Sequence, residues 1–120
     1  MKRFTRTAVL LSALLAASSG WAHAFLEQAL PAVGSTVRTA PAKVELRFSE
    51  DLEPAFSSLR VVDRDGKRVD RADRTVPDDD RRKMAISVGP ARPGRYRVFW
   101  RAVSVDGHVT QGDFTFELAP

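Results

Sequence analysis

The run Tyr96-Arg97-Val98-Phe99-Trp100-Arg101-Ala102-Val103-Ser104-Val105-Asp106-Gly107-His108 decides how the chain is read. Its first half alternates: Tyr96, Val98, Trp100 and Ala102 fall on one face, Arg97, Phe99 and Arg101 on the other, with Arg95 continuing the polar row. A period of two is that of a half-buried β-strand, because successive side chains point to opposite faces of a sheet. A second alternating run, Thr110 to Leu118, follows at once, with Phe114, Phe116 and Leu118 inward. Two strands so close in sequence predict a hairpin, with Asp106 and His108 where they meet. Residues two apart on extended backbone share a side, so this carboxylate and this imidazole are expected to face one point. Gly107 lets the backbone bend between them.

Working outward, the same period recurs. Lys43 to Phe48 places Val44, Leu46 and Phe48 on one face, and Lys83 to Val88 does the same with Met84, Ile86 and Val88. Ala24 to Leu30 reads as a first strand, and Pro31 to Pro41 as a connection. Ser58 to Asp63 and Lys67 to Asp70 flank Asp65-Gly66, a strong hairpin signal. Ala72 to Arg82 reads as a polar loop, and its acidic triplet Asp78-Asp79-Asp80 as solvated, since calcium loops space their ligands and include turn glycines. No segment after residue 22 carries a helical period. About seven short strands with frequent turns predict an all-β fold, an antiparallel two-sheet sandwich or barrel. Trp100 is expected to anchor its core.

Residues 1 to 22 have the pattern of a secretory signal: Lys2, Arg3 and Arg6, then an apolar run from Ala8 to Ala17 broken only by Ser12, then small residues at Ser18, Ser19, Gly20 and Ala22. The apolar run is too short to span a bilayer. The expected division is a signal at 1–22 and one domain at 23–120. Three of the 19 Lys and Arg lie in the signal, so the domain carries 16 against 15 Asp and Glu. That balance is no nucleic-acid footprint. Cysteine is absent, so the domain must stand on its hydrophobic core even in an oxidising compartment.

Composition and motif exclude several chemistries. There is no thiol nucleophile, no Gly-rich phosphate loop, no zinc-protease histidine spacing and no Gly-x-Ser-x-Gly elbow. Ser104, Asp106 and His108 lie too close along one segment to converge as a triad. A metal site is the stronger expectation. If processing exposes His23, the α-amine and ring of that residue, together with His108 and Asp106, form a nitrogen-rich set with one carboxylate and no sulfur, which suits Cu(II). The other reading is that His108 is an ordinary turn residue and His23 is merely solvated.

The chain also resembles a known family. His23-Ala24-Phe25-Leu26, Pro31-Ala32-Val33-Gly34-Ser35, Ala40 to Glu50, and above all Trp-Arg-Ala-Val-Ser-x-Asp-x-His at 100–108 are similar to the CopC family of periplasmic copper-binding proteins. The resemblance implies a seven-stranded Greek-key β-sandwich of cupredoxin-like or immunoglobulin-like form. It implies one Cu(II) per chain held by His23, Asp106 and His108. Glu50 of Phe-Ser-Glu matches a family glutamate near the copper and is an accessory candidate, or else a solvated acid of its turn. It also implies a non-enzymatic role in copper sequestration or delivery, periplasmic location and a CopD-type membrane importer as partner. Some members bind Cu(I) through a methionine-rich loop. The matching stretch here, Val61 to Asp73, has no methionine, and Met84 falls on an inward strand face, so a Cu(II)-only protein is expected. Two other functions stand beside this one: a copper-dependent oxidative enzyme with a histidine brace, and a metal-free exported scaffold.

Overall fold

A computed structural model describes residues 23–120; the expected signal at 1–22 lies outside the described residues. Seven strands are present: β1 (Leu26–Leu30), β2 (Thr36–Val37), β3 (Lys43–Phe48), β4 (Ser58–Val62), β5 (Lys83–Ser87), β6 (Gly94–Val103) and β7 (Val109–Leu118). They form two sheets, β1-β3-β5 and β2-β7-β6-β4. Every connection before the last crosses from one sheet to the other; only β6 and β7 form a hairpin within a sheet. The result is an open sandwich of the expected Greek-key type, with no closed barrel. Among the described residues no helix is long and apolar enough to cross a membrane.

The core follows from the alternation. Val44, Leu46 and Phe48 of β3 and Met84 and Ile86 of β5 face Val98 and Ala102 of β6 and Phe114, Phe116 and Leu118 of β7, all buried. Met84 is thus a core residue. Trp100 is only partly buried and flanks the core rather than centring it. Its ring meets Phe48 edge-on at 5.3 Å between centroids and lies over Gly112, its register partner on β7. A Cβ at Gly112 would stand 2.7 Å from Trp100 Cζ2, so glycine is required there. The largest fully buried side chain is Phe48. Phe48→Ala is therefore expected to cost about 3–5 kcal/mol of stability, and Trp100→Ala less, because part of its area stays in water. Urea unfolding of the two variants checks the order; a larger loss at Trp100 would move the centre of the core to that ring.

Two expectations are corrected. The Pro31–Pro41 connection contains β2, which pairs with β7 in parallel, the one departure from an all-antiparallel arrangement. The 67–70 segment forms only isolated bridges, Val62 to Arg68 and Asp70 to Val88, although the Asp65-Gly66 turn closes as expected with Gly66 at φ +80°. In the loop that follows, Asp78 and Asp79 are exposed, while Asp80 pairs with Arg47 at 2.6 Å. That guanidinium holds the Asp80 carboxyl below its ordinary value.

Candidate metal centre

One end of the sandwich gathers three segments: the start of the described chain at His23–Phe25, the bend after β3 at Ser49–Glu53, and the β6–β7 turn. In the turn, Ser104 N–H donates to the His108 carbonyl at 3.0 Å and Gly107 N–H to the Ser104 carbonyl at 2.8 Å, with Gly107 at φ +90°. A side chain at that φ strains the backbone, so glycine belongs there. Asp106 thus sits in a tight turn, not on extended backbone, and it meets His108 because the chain doubles back. The two residues are neighbours as expected, in a turn rather than on a strand.

Asp106 Oδ1 accepts from the buried Ser104 hydroxyl, lies 3.1 Å from His108 Nδ1 and receives the His108 N–H at 3.4 Å. These bonds, the Ser104 hydroxyl first and the His108 imidazole next, hold the Asp106 carboxyl down at about 2. Hydrogen bonds to the ionised form stabilise it. Ser104 is buried and spent on this contact, which leaves it no role as a nucleophile. A depressed carboxyl contributes stability that is present above its unfolded value of about 3.9 and lost as pH falls through about 2. In metal-free protein, carboxyl NMR should show Asp106 titrating near 2, and Ser104→Ala should move it upward. A midpoint at the ordinary aspartate value in the wild type would remove the Ser104 and His108 bonds from solution.

His23 reaches the same end from the opposite end of the domain. Its ring meets His108 edge-on with centroids 5.0 Å apart. Its backbone is pinned: the His23 carbonyl accepts from the Ser49 hydroxyl at 3.1 Å, Ser49 Oγ in turn accepts the Phe25 N–H at 2.9 Å, and the Ala24 carbonyl accepts from Thr110 Oγ1 at 2.6 Å. Ala24 itself is fully buried. Sequence reasoning missed Ser49, Thr110 and Ser104 as the groups that place the histidines and the carboxylate. Ser49 stands inside the quoted Phe-Ser-Glu, but a hydroxyl in a strand-turn segment gives no pattern of its own.

Glu50 is half-buried in the bend beside Ser49. That bend lies against the turn: Val105 N–H donates to the Asp51 carbonyl at 3.2 Å, and Leu52 bridges to Ser104. Glu50, Asp51, Glu53 and Asp106 gather at this end; Arg82, 3.7 Å from Asp51, offsets part of a negative charge that favours a cation. Among the described residues no group of three or more His, Asp or Glu side chains stands placed to hold a metal ion. The structure brings His23, His108 and Asp106 together as two adjoining pairs and leaves Glu50 on the neighbouring bend.

A two-sheet sandwich whose only two histidines meet beside an aspartate at one end defines a class of small β-domain with a polar, acidic tip. The CopC domain family matches residues 26–119, and the chain belongs to that family. Protein YobA of Escherichia coli is 33% identical over 110 residues, 91% of this chain and 89% of that protein. The crystal structure of CopC from Methylosinus trichosporium OB3b superposes with a TM-score of 0.73 at 33% identity, covering 82% of this chain and 95% of that one. PcoC, a methionine-rich copper resistance protein from Escherichia coli, superposes with a TM-score of 0.69 at 35% identity, covering 81% and 99%.

Proposed function

We propose that this chain is an exported, non-enzymatic Cu(II)-binding protein of copper homeostasis and resistance. In this reading residues 1–22 are a signal, the domain at 23–120 works in the periplasm, and it takes one Cu(II) as cargo through His23, Asp106 and His108, with Glu50 as an accessory acid. The observation that carries the reading is the edge-on contact of the two histidine rings, 5.0 Å between centroids, next to an ionised aspartate. Nothing in the core needs those two rings to meet, and both remain partly exposed. Imidazole and carboxylate donors without sulfur suit Cu(II), which also stands highest among the divalent first-row ions. Asp106 Oδ1 is already held by Ser104 and His108, so the carboxylate would meet a metal from a turn that its own hydrogen bonds keep in place.

The sulfur chemistry agrees. Cu(I) prefers thioethers, and the one methionine among the described residues, Met84, is fully buried in the core. Membership of the same family as a methionine-rich copper resistance protein therefore supports copper as the cargo but not a Cu(I) site. Phe25, Val105 and Val109, beside the two histidines, are exposed apolar side chains. In a handover to a CopD-type membrane importer these three side chains would stand at the contact. The carboxylate beside His108 takes coordination space that oxygen activation requires, which weighs against an oxidative enzyme.

Electron paramagnetic resonance of protein loaded with one equivalent of Cu(II) tests the reading. A tetragonal signal with nitrogen coupling is expected, and reduction should release the metal to a modest Cu(I) chelator. The spectrum of aqueous copper, or Cu(I) kept against the chelator, would sink the respective half.

A further inference from the structure

The outer face of the four-stranded sheet, turned away from the core, has no part in the copper site. Its central strand β6 reads Arg95, Arg97, Phe99, Arg101 on that side. Arg95 is paired with Glu117 and Arg97 with Asp113 across the ladder to β7, and nearby Arg68 is paired with Asp70. Arg60 of β4 and Arg101 of β6 have no carboxylate partner among the described residues. The register sets Arg60 opposite Phe99, and Ser58 and Gln111 on either side of Arg101. Arg60 and Arg101 are thus diagonal neighbours on one face, and like charges so placed repel. Both line an open groove of about 680 Å³, together with Ser58, Phe99, Gln111 and Arg68. The Arg60 guanidinium carbon lies over the Phe99 ring, 4.7 Å from its centroid. A cation over an aromatic face keeps N–H donors for a ligand on the side away from the ring.

We propose that the Arg60–Arg101 groove binds a phosphate group. Two guanidiniums, a hydroxyl and a carboxamide line the same groove, and its one carboxylate, Asp113, is already paired with Arg97. A carboxylate offers two oxygens to such a set, whereas a phosphoryl group offers three or four and the charge to match two arginines. The groove is far larger than a phosphate, so the group comes on a larger body or lies in it with water. Because the donors stand on three paired strands, the site is held without loop ordering. The site owes nothing to the histidines, so it stands or falls apart from the copper reading.

The test uses copper-free protein. Amide shifts are followed on adding inorganic phosphate against chloride at matched ionic strength, and co-sedimentation is measured with vesicles of phosphatidylglycerol and of phosphatidylcholine. Shifts at Arg60, Phe99, Arg101 and Gln111 with phosphate alone identify a soluble phosphate ligand. Sedimentation with phosphatidylglycerol only identifies a lipid headgroup. In either case Arg60→Gln with Arg101→Gln should weaken binding about 25-fold, since each arginine near an anionic surface contributes on the order of fivefold. Both substitutions are on exposed positions, and an unchanged melting curve confirms the fold. No response in either arm, or a response that survives the double substitution, overturns the proposal.

Discussion

His108→Ala should lower Cu(II) affinity by more than about 100-fold, beyond the 10–100-fold that loss of an outer partner costs, while leaving the fold intact. The two halves of this expectation come from different atoms of one residue. The backbone of His108 closes the turn: its carbonyl accepts from Ser104 N–H, and its N–H donates to Asp106. Alanine keeps both. The side chain contributes the ring that meets His23 and contacts Asp106, and both rings are partly exposed and outside the hydrophobic core. Removing the ring deletes one donor outright and leaves Asp106 with the Ser104 hydroxyl and the backbone N–H of residue 108. A competition titration with a Cu(II) chelator reads the affinity, and urea unfolding reads the fold, where a loss within about 1 kcal/mol is expected for a surface position. Unfolding of the variant would make His108 structural; unchanged affinity would remove it from the site. Acid should imitate the substitution, because imidazoles must lose their protons to bind a metal, whereas Asp106 stays ionised down to about 2 and does not set the acid limit.

How far the sequence led can be judged residue by residue. β3, β5, β6 and β7 were legible because one face of each is buried, so that Val44, Leu46, Phe48 and their counterparts had to alternate. β2 was not, because two residues pairing in parallel with the end of β7 need only backbone groups, and Pro31–Pro41 has no alternation to betray them. The 67–70 run alternates like a strand, yet Asp70 turns its carboxylate to the backbone N–H groups of Val61 and Ala72, and the ladder stops at single bridges. For the site, side-chain chemistry singled out His23, Asp106 and His108, and the fold brings them to one end. The Ser49 and Thr110 hydroxyls that hold the first segment there were invisible, because their partners are carbonyls and N–H groups of residues distant in sequence, as with Thr110 and Ala24. Trp100 misled for a related reason: alternation says which face a side chain takes, not how far under its neighbours it lies.

The exported chain should begin at His23, and one added residue ahead of it should weaken copper binding sharply. Two cuts satisfy the small-x-small pattern: before Phe25, through Ala22-His23-Ala24, and before His23, through Gly20-Trp21-Ala22. Pattern slightly favours the first, since alanine is the more usual residue at both small positions. The structure argues for the second. A cut before Phe25 would discard Ala24, whose side chain is fully buried, and the carbonyls of His23 and Ala24, which take the hydroxyls of Ser49 and Thr110. It would also remove one of the chain's two imidazoles. A cut before His23 keeps every one of these contacts and places a new amine next to the ring, with a pKa of about 7.7–8.0 that yields its proton to a metal far more readily than lysine does. Because Ser49, Thr110 and the buried Ala24 fix the backbone register, the segment cannot slide by one residue to accommodate an extension. An added N-terminal glycine therefore puts a secondary amide where the amine stood, and an amide nitrogen binds a metal only after losing a far more tightly held proton. We expect affinity to fall by about 100-fold or more, comparable to losing a ligand and not an outer partner. Intact mass of the exported protein decides the start. Copper titration of the glycine-extended form decides the role of the amine: affinity equal to that of the chain starting at His23 would show that the terminal nitrogen does not touch the metal.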